Sequence, residues 1–267
     1  MVLERGEILF NDRLSPNLYH LGLRAPEIAS LVKPGQFLMV RIRSGADPLL
    51  RRPFAVHQLS EPEGFEILYK VVGRGTRLLT ETGRGATLDI LGPLGRGFEL
   101  SREDGPVLLV AGGIGIAPLP FLAETLVGSG RKGPYLLWFG GKTSQDLICV
   151  RHFQDLGFVA ELVTEDGSVG RKGLVTDHLE DWLCRRQERP ILIYSCGPYP
   201  MQRQVTHLAA RLGVAVQIAM EALMACGVGA CLGCSLRCRP PEGGTDPYYA
   251  NVCQHGPVFK GEEIIWE

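Results

Sequence analysis

Four short apolar runs in the middle of the chain leave few options for its architecture: PVLLVAGG (106–113), PYLLWFGG (134–141), FVAELVTED (158–166) and PILIYSCGP (190–198). A strand that is apolar on both faces must be covered on both faces, as in a parallel sheet flanked by helices. Helix-like segments lie between the runs. APLPFLAETLVGSG follows the first, and MQRQVTHLAARLG (201–213) follows the last and ends at Gly213, where a left-handed cap is expected. VAVQIAME (214–221) is expected to be the last strand of this set. Strands alternating with helices in this way predict an open α/β sheet.

The preceding residues follow another rule. GEILF (6–10), LYHLGLR (18–24), QFLMVRI (36–42), FAVHQL (54–59), FEILYKVV (65–72) and ATLDIL (86–91) are short β segments, separated by turn-formers such as KPGQ, SGADP, EPEG and GPLGRG. They predict a small antiparallel β-barrel or sandwich. After VAVQIAME periodicity fades, and PPEGG (240–244) reads as a loop. The expected organisation is multi-domain β plus α/β: a barrel over 1–101, an α/β unit over 102–221 and a cysteine-rich segment over 222–267.

Charge and hydropathy exclude several classes. With 28 Lys and Arg against 29 Asp and Glu, the net charge of −1 gives no basic excess for nucleic-acid phosphates. No apolar run reaches the ~18–20 residues that span a bilayer, so no membrane association is expected. The opening MVLERGEILFNDR has no basic stretch followed by a long apolar one. A cytoplasmic protein is expected on that ground.

The eight cysteines are unevenly placed: Cys149, Cys184 and Cys196 are scattered, whereas Cys226, Cys231, Cys234, Cys238 and Cys253 crowd the end of the chain. Cys226-x4-Cys231-x2-Cys234 followed by the distant Cys253 matches the plant-type [2Fe–2S] pattern of three close thiolates and one remote. Enclosing two irons requires the backbone to approach closely, and Gly227, Gly229, Ala230 and Gly233 allow it. Four thiolates also suit tetrahedral zinc. Zinc ribbons, however, pair two similar short knuckles, and this tail has one tight loop with a lone fourth ligand. Cys238 is an alternative to Cys234 or Cys253, and its simplest reading is a free thiol beside the loop.

Arg51-Arg52-Pro53-Phe54-Ala55-Val56 puts guanidinium groups ahead of a strand, where they suit a pyrophosphate. Gly73-Arg74-Gly75-Thr76 offers backbone N–H groups and a hydroxyl for phosphate. Ala111-Gly112-Gly113-Ile114-Gly115-Ile116-Ala117-Pro118 joins a buried strand to a helix, a context suited to a dinucleotide, although it departs from G-x-G-x-x-G. Cys196-Gly197-Pro198 ends another strand on the same sheet edge, where open α/β sheets bind ligands. Cys196 itself reads equally well as a small buried residue.

In the order RRPF, GRGT, AGGIGIAP, CGP, the chain resembles the ferredoxin–NADP reductase superfamily. With the cysteine tail and its closing VCQHGPVF (252–259), it resembles more narrowly the electron transfer subunits of B-type, NAD-linked dihydroorotate dehydrogenases. That resemblance implies FAD held by Arg52, Pro53, Phe54, Ala55, Leu68, Tyr69, Lys70, Gly75 and Thr76, and NAD at Gly112, Gly113, Gly115, Cys196, Gly197 and Pro198. It implies a [2Fe–2S] cluster on Cys226, Cys231, Cys234 and Cys253. The implied partner is an FMN-containing dihydroorotate dehydrogenase catalytic subunit, two of each subunit assembling for pyrimidine biosynthesis. Electrons would run from the partner's FMN through cluster and FAD to NAD+, with no catalytic acid or base required.

Two departures stand out. Ala55 replaces the serine of the family's Arg-Pro-x-Ser, and Cys238 with the PPEGG loop sits inside the cysteine segment. The alternative is the small subunit of another NAD(P)H–ferredoxin or sulfide-linked flavoprotein oxidoreductase, sharing the domains but not the partner. NAD against NADP is left open, Lys142 and Arg171 being the cations to consider for a 2′-phosphate.

Overall fold

A computed structural model describes residues 1–101, 103–185, 191–240, 244 and 246–266. The central residues of the PPEGG loop lie outside the described residues, as does Arg102 at the expected boundary between the first two units.

The first unit is a seven-stranded antiparallel sheet curled on itself. Its strands are β1 (Val2–Ser15), β2 (Leu18–Arg24), β3 (Phe37–Arg41), β4 (Arg52–Ala55), β5 (Gln58–Ser60), β6 (Gly64–Lys70) and β7 (Thr87–Leu94), ordered β4-β3-β7-β1-β2-β6-β5. Helices α1 (Pro26–Leu31) and α2 (Arg74–Thr80) add Ile28 and Leu79 to its core. Alternation along β7 sends Leu88 and Ile90 inward to meet Leu21, Leu23, Val40, Phe65 and Ile67 in one apolar core. The expected strand FAVHQL is two strands. After Ala55 the chain leaves β3 and crosses to β6, where the His57 N–H bonds to the Glu66 carbonyl at 2.8 Å.

The second unit is a seven-stranded sheet ordered β11-β10-β9-β8-β12-β13-β16, its edge strand β16 (Val258–Lys260) coming from the tail. Its strands are β8 (Val107–Gly112), β9 (Tyr135–Gly141), β10 (Phe158–Thr164), β11 (Arg171–Lys172), β12 (Leu192–Cys196) and β13 (Ala215–Ala219), all parallel. Helix α4 (Val150–Asp155) packs on β10 beside α3 (Leu119–Gly128), α5 (Val175–Arg185) on β9 and β10, and α6 (Tyr199–Leu212) on β12 and β13. β8 is buried along its whole length, as its unbroken apolar run requires. Gly213 adopts φ 67°, the left-handed cap that ends α6.

The tail is more structured than its weak periodicity suggests. β14 (Ser235–Cys238) and β15 (Tyr248–Asn251) form a hairpin, α7 (Val252–His255) follows, and β16 (Val258–Lys260) pairs antiparallel with β13 as an edge strand. The Arg96 N–H bonds to the Gly256 carbonyl at 2.5 Å, and the Met220 N–H to that of Pro257 at 2.8 Å. The tail is thereby tied to both preceding units. No described helix is long and apolar enough to cross a membrane.

Candidate functional site

The barrel has an open seam. β4 is hydrogen-bonded only to β3, and β5 covers only Gly64–Glu66 of β6. No ladder joins β4 to β6, so the backbone edges of Arg52–Ala55 and of residues 67–70 face one another without strand partners. Phe54 and Tyr69 meet edge-to-face across the seam at 5.9 Å. The strand residues expected to hold a flavin therefore line one gap, offering backbone donors and acceptors for a flat polar ring.

Two adjacent arginines prove to differ. Arg51 is tied down, 2.5 Å from the Asp89 carboxylate and donating to the Asp89 carbonyl at 2.8 Å. Among the described residues Arg52 hydrogen-bonds to the carbonyls of Leu50 and Arg51, and its guanidinium lies across Gly75. A Cβ at Gly75 would stand 2.6 Å from the Arg52 Nε, so this residue has to be glycine for the arginine to lie where it does. RRPF and GRGT thus meet in space, with one guanidinium beside the first turn of α2.

The Thr76 hydroxyl is already engaged. It accepts from the N–H groups of Val72 and Gly73 at 3.0 and 3.2 Å and donates to the Gly73 carbonyl at 3.1 Å. Its single proton is therefore used in closing the loop, and the N–H groups at the start of α2 are the donors left for a phosphate. Tyr69 is likewise internal: its hydroxyl donates to Asn11 Oδ1 at 3.0 Å, its ring stacks on Tyr19, and burial pushes the phenol pKa up. Leu68 is buried beside it, and Lys70 is exposed.

Lys70 is the barrel's contribution to a cleft of about 550 Å³ at the carboxyl edge of the parallel sheet. Gly112, Gly113, Gly197 and Pro198 line it. The two turns interlock backbone to backbone. A Cβ on Gly115 would lie 2.4 Å from the Cys196 carbonyl oxygen, and one on Gly197 2.9 Å from the Gly112 nitrogen. Gly113, at φ 52°, would point a Cβ into open space, so its bare backbone faces the cleft. The Cys196 thiol is buried beneath, and burial raises its pKa, which leaves it a packing role.

Sequence reasoning passed over Glu221, Asp146, Glu165 and Thr176, which also line the cleft, and considered Lys142 only for NADP. Glu221 was readable in principle, as the acid that ends VAVQIAME at a carboxyl edge. It reaches solvent yet is hemmed in by protein, and lost hydration raises its pKa. Asp146 accepts from the N–H groups of Lys142 and Thr143, shaping the loop after β9. Arg171 sits over the Trp138 ring beside Glu161, outside the cleft lining.

In the tail, backbone N–H groups aim at sulfur. Val228 and Cys231 donate to Cys226 Sγ at 3.4 Å, Gly229 to Cys253 Sγ at 3.1 Å and Cys253 to Cys234 Sγ at 3.5 Å. The wrap needs left-handed residues, and Gly227 (φ 73°), Gly229 (φ 82°) and Leu232 (φ 58°) provide them. These amides lower the Cys226 pKa to about 6, whereas burial and the nearby Cys234 push Cys253 up to about 12. Among the described residues, no three ligand-type side chains converge on one point. Thiols wrapped by backbone amides fit a two-iron cluster, whose sulfurs accept such hydrogen bonds. Cys238 is fully buried in the β14–β15 hairpin.

The tail loop rests on the barrel. A Cβ on Gly227 would strike the Met39 side chain at 2.5 Å, and Met39 pairs directly with Pro53 of β4. The thiol loop is therefore seated one strand from the seam.

An open barrel seam, a nucleotide-type cleft and an amide-wrapped thiol loop define an oxidoreductase of the ferredoxin–NADP reductase type with an iron–sulfur segment appended. Comparison narrows this. The family model described as "Oxidoreductase NAD-binding domain" matches residues 109–207, and "Iron-sulfur cluster binding domain of dihydroorotate dehydrogenase B" matches residues 221–265. The chain is 35% identical over 266 residues to "Dihydroorotate dehydrogenase B (NAD(+)), electron transfer subunit" of Desulforamulus reducens, covering 98% of each. It is 38% identical over 262 residues to the subunit of that name from Caldanaerobacter subterraneus subsp. tengcongensis, again covering 98% of each. A solved structure described as "Insights into flavin-based electron bifurcation via the NADH-dependent reduced ferredoxin-NADP oxidoreductase structure" superposes with TM-score 0.84 at 31% identity, covering 98% of this chain and 90% of that one. The chain belongs to the family of electron transfer subunits of NAD+-linked dihydroorotate dehydrogenase B.

Proposed function

We propose that this chain carries electrons between a dihydroorotate-oxidising partner subunit and NAD+. The units expected from sequence serve as the working parts: 1–101 for FAD, 102–221 for NAD and 222–267 for a [2Fe–2S] cluster. A nicotinamide takes a hydride and a two-iron cluster takes single electrons, and FAD supplies the exchange between the two.

In this reading Arg52 and the start of α2 hold the FAD pyrophosphate, and Pro53, Phe54 and Ala55 with Leu68, Tyr69 and Lys70 present backbone to the ring system. Thr76 acts indirectly, closing the loop that carries Gly75. Ala55 offers no hydroxyl, so the ring there has backbone contacts alone. Gly112, Gly113, Gly197 and Pro198 let the NAD pyrophosphate approach, Gly115 locks their two turns together, and Cys196 packs beneath them. Cys226, Cys231, Cys234 and Cys253 are the ligands, with amide donors already placed at three of these sulfurs.

The observation that carries the reading is the seat of Gly227 on Met39, which sets the thiol loop beside the strand that borders the seam. The partner is an FMN-containing catalytic subunit, two of each forming the cytoplasmic complex that serves pyrimidine synthesis. Anaerobically prepared protein should contain one FAD, two irons and two labile sulfides per chain, and NADH should bleach flavin and cluster absorbance. Zinc in place of iron, or no bleaching, would refute it. The 31% match to the NADH-dependent reduced ferredoxin–NADP oxidoreductase structure favours a second reading with the same interior and another partner. Copurification separates the two.

A further inference from the structure

His57 stands two residues past Ala55, at the junction of barrel and α/β unit, and is 3% exposed. Its Nδ1 lies 2.7 Å from the carbonyl oxygen of Ala117, two residues past Gly115. A carbonyl only accepts, so Nδ1 carries the proton and Nε2 keeps its lone pair. Nε2 faces the Cys149 thiol, with Sγ at 3.8 Å. The backbone carbonyl of His57 accepts the N–H of Phe121 at 2.9 Å. Phe121 is the third residue of α3, one of the donors that helix geometry leaves without an internal partner.

One residue thus grips both ends of the Ala117–Phe121 segment, the end of the nucleotide turn and the start of its helix. The grip runs through a neutral imidazole, since burial lowers its pKa to about 4. The neighbouring titratable groups are otherwise engaged. His20 lies edge-on at 5.6 Å and is bonded to Glu66 at 2.6 Å, while Glu124 and His152 pair at 3.1 Å.

We propose that His57 is a positioning residue for hydride exchange, fixing the nucleotide turn against the flavin strand through its Nδ1–H and its backbone carbonyl. This rests on the placement of FAD at the seam and NAD in the cleft. The arm from Ala55 to His57 and the arm from Ala117 to Gly115 are each two residues long, so slack at the bond between them reaches both cofactors with little damping. Hydride exchange tolerates little slack, because a misplacement of ~1 Å can cost a factor of ~10² in rate. His57 would touch neither cofactor and would act through the turn.

The test compares His57→Ala, His57→Asn and His57→Gln in the full, FAD- and cluster-loaded chain. An Asn amide nitrogen can reproduce the Nδ1–H donor, whereas the longer Gln directs its amide toward Cys149. Anaerobic single-turnover reduction of FAD by NADH should slow at least ~10-fold in His57→Ala, with FAD and iron content and NADH affinity changed less than ~3-fold. His57→Asn should recover most of the rate, and Cys149→Ala should leave it intact. In the cofactor-free chain, amide exchange over residues 112–121 should speed up in His57→Ala and return toward wild type in His57→Asn. If His57→Ala does not fold, Asn against Gln decides, with faster Asn supporting the proposal and equal or faster Gln overturning it. His57→Ala reacting at the wild-type rate overturns the positioning role alone. A wild-type chain whose bound FAD does not react with NADH overturns the functional reading and this proposal with it.

Discussion

Gly75→Ala should weaken FAD binding while leaving the fold as stable as before or more so, a pairing of signs that few substitutions share. The added Cβ would stand 2.6 Å from the Arg52 Nε, 3.1 Å from Cζ and 3.2 Å from Nη2. Ordinary carbon–nitrogen contact is ~3.5 Å, so the guanidinium must retreat by roughly 1 Å. The obstructing atoms are the end of a flexible side chain, so the backbone need not move. Gly75 lies in the first turn of α2 with no positive φ, so alanine should add about 0.5–1 kcal/mol of helix stability. The displaced guanidinium would lose a charge-assisted bond to phosphate worth about 1.5–3 kcal/mol, which is ~10- to 100-fold in Kd. The assay is quenching of flavin fluorescence on titrating deflavo-protein, alongside thermal unfolding of the same preparation. If the effect runs through the arginine, Gly75→Ala should cost nothing further in an Arg52→Ala background. Unchanged Kd in the single variant, or full additivity in the double, would refute the argument.

Other expectations follow from the same contacts. Gly115→Ala meets backbone rather than a mobile side chain, so it should cost about 3 kcal/mol in urea unfolding and abolish NADH-dependent activity. Arg51→Ala should destabilise the barrel by about 1–2 kcal/mol through the lost Asp89 pairing while keeping FAD affinity within a few-fold of wild type, in contrast to Arg52→Ala. Cys238→Ala should lose about 1 kcal/mol of stability and retain full iron, whereas Ser at Cys226, Cys231, Cys234 or Cys253 should deplete it on iron assay. His57, lowered from 6.5 to about 4, is bound by a proton more readily in the unfolded chain. Its contribution is therefore fully present above pH 6.5 and is lost as pH falls toward 4. That amounts to about 3 kcal/mol, and the slope should flatten in His57→Asn when urea midpoints are compared across this range.

Much of this architecture was legible where one residue type answers one local demand. The continuous apolar runs at β8, β9 and β12 became strands buried on both faces, as expected, whereas β10, formed by FVAELVTED, is buried only at its ends and leaves Val159 exposed. Gly115 and Gly197 were readable because nothing larger fits where their two backbones touch, and Gly113 because its left-handed φ of 52° favours glycine. What escaped depends on partners distant in sequence. FAVHQL has one unbroken pattern, yet the chain changes partner within it, and no periodicity marks the residue where it leaves β3 for β6. Arg51 and Arg52 are identical in type, and Asp89 on β7 pairs with Arg51, whereas Arg52 bonds only local carbonyls among the described residues. Thr76 looked like a phosphate ligand by composition, and its hydroxyl is consumed by its own loop.

The tail shows why a motif read for its ligands is incomplete. Cys253 is followed at once by residues that brace the two larger units. The Gly256 carbonyl accepts from Arg96 between those units, the Pro257 carbonyl accepts from Met220, and β16 completes the sheet beside β13. At the other end of the thiol loop, Gly227 is pressed on Met39. The segment after the fourth thiol is therefore held by both units, and the loop at the first thiol by the barrel. A rotation between those units would therefore be felt in the thiol loop, and a cluster held by the four thiols would oppose it. Loading the tail should thus stiffen the junction where His57 grips the nucleotide turn, which couples thiol loop, seam and cleft through the frame that holds them.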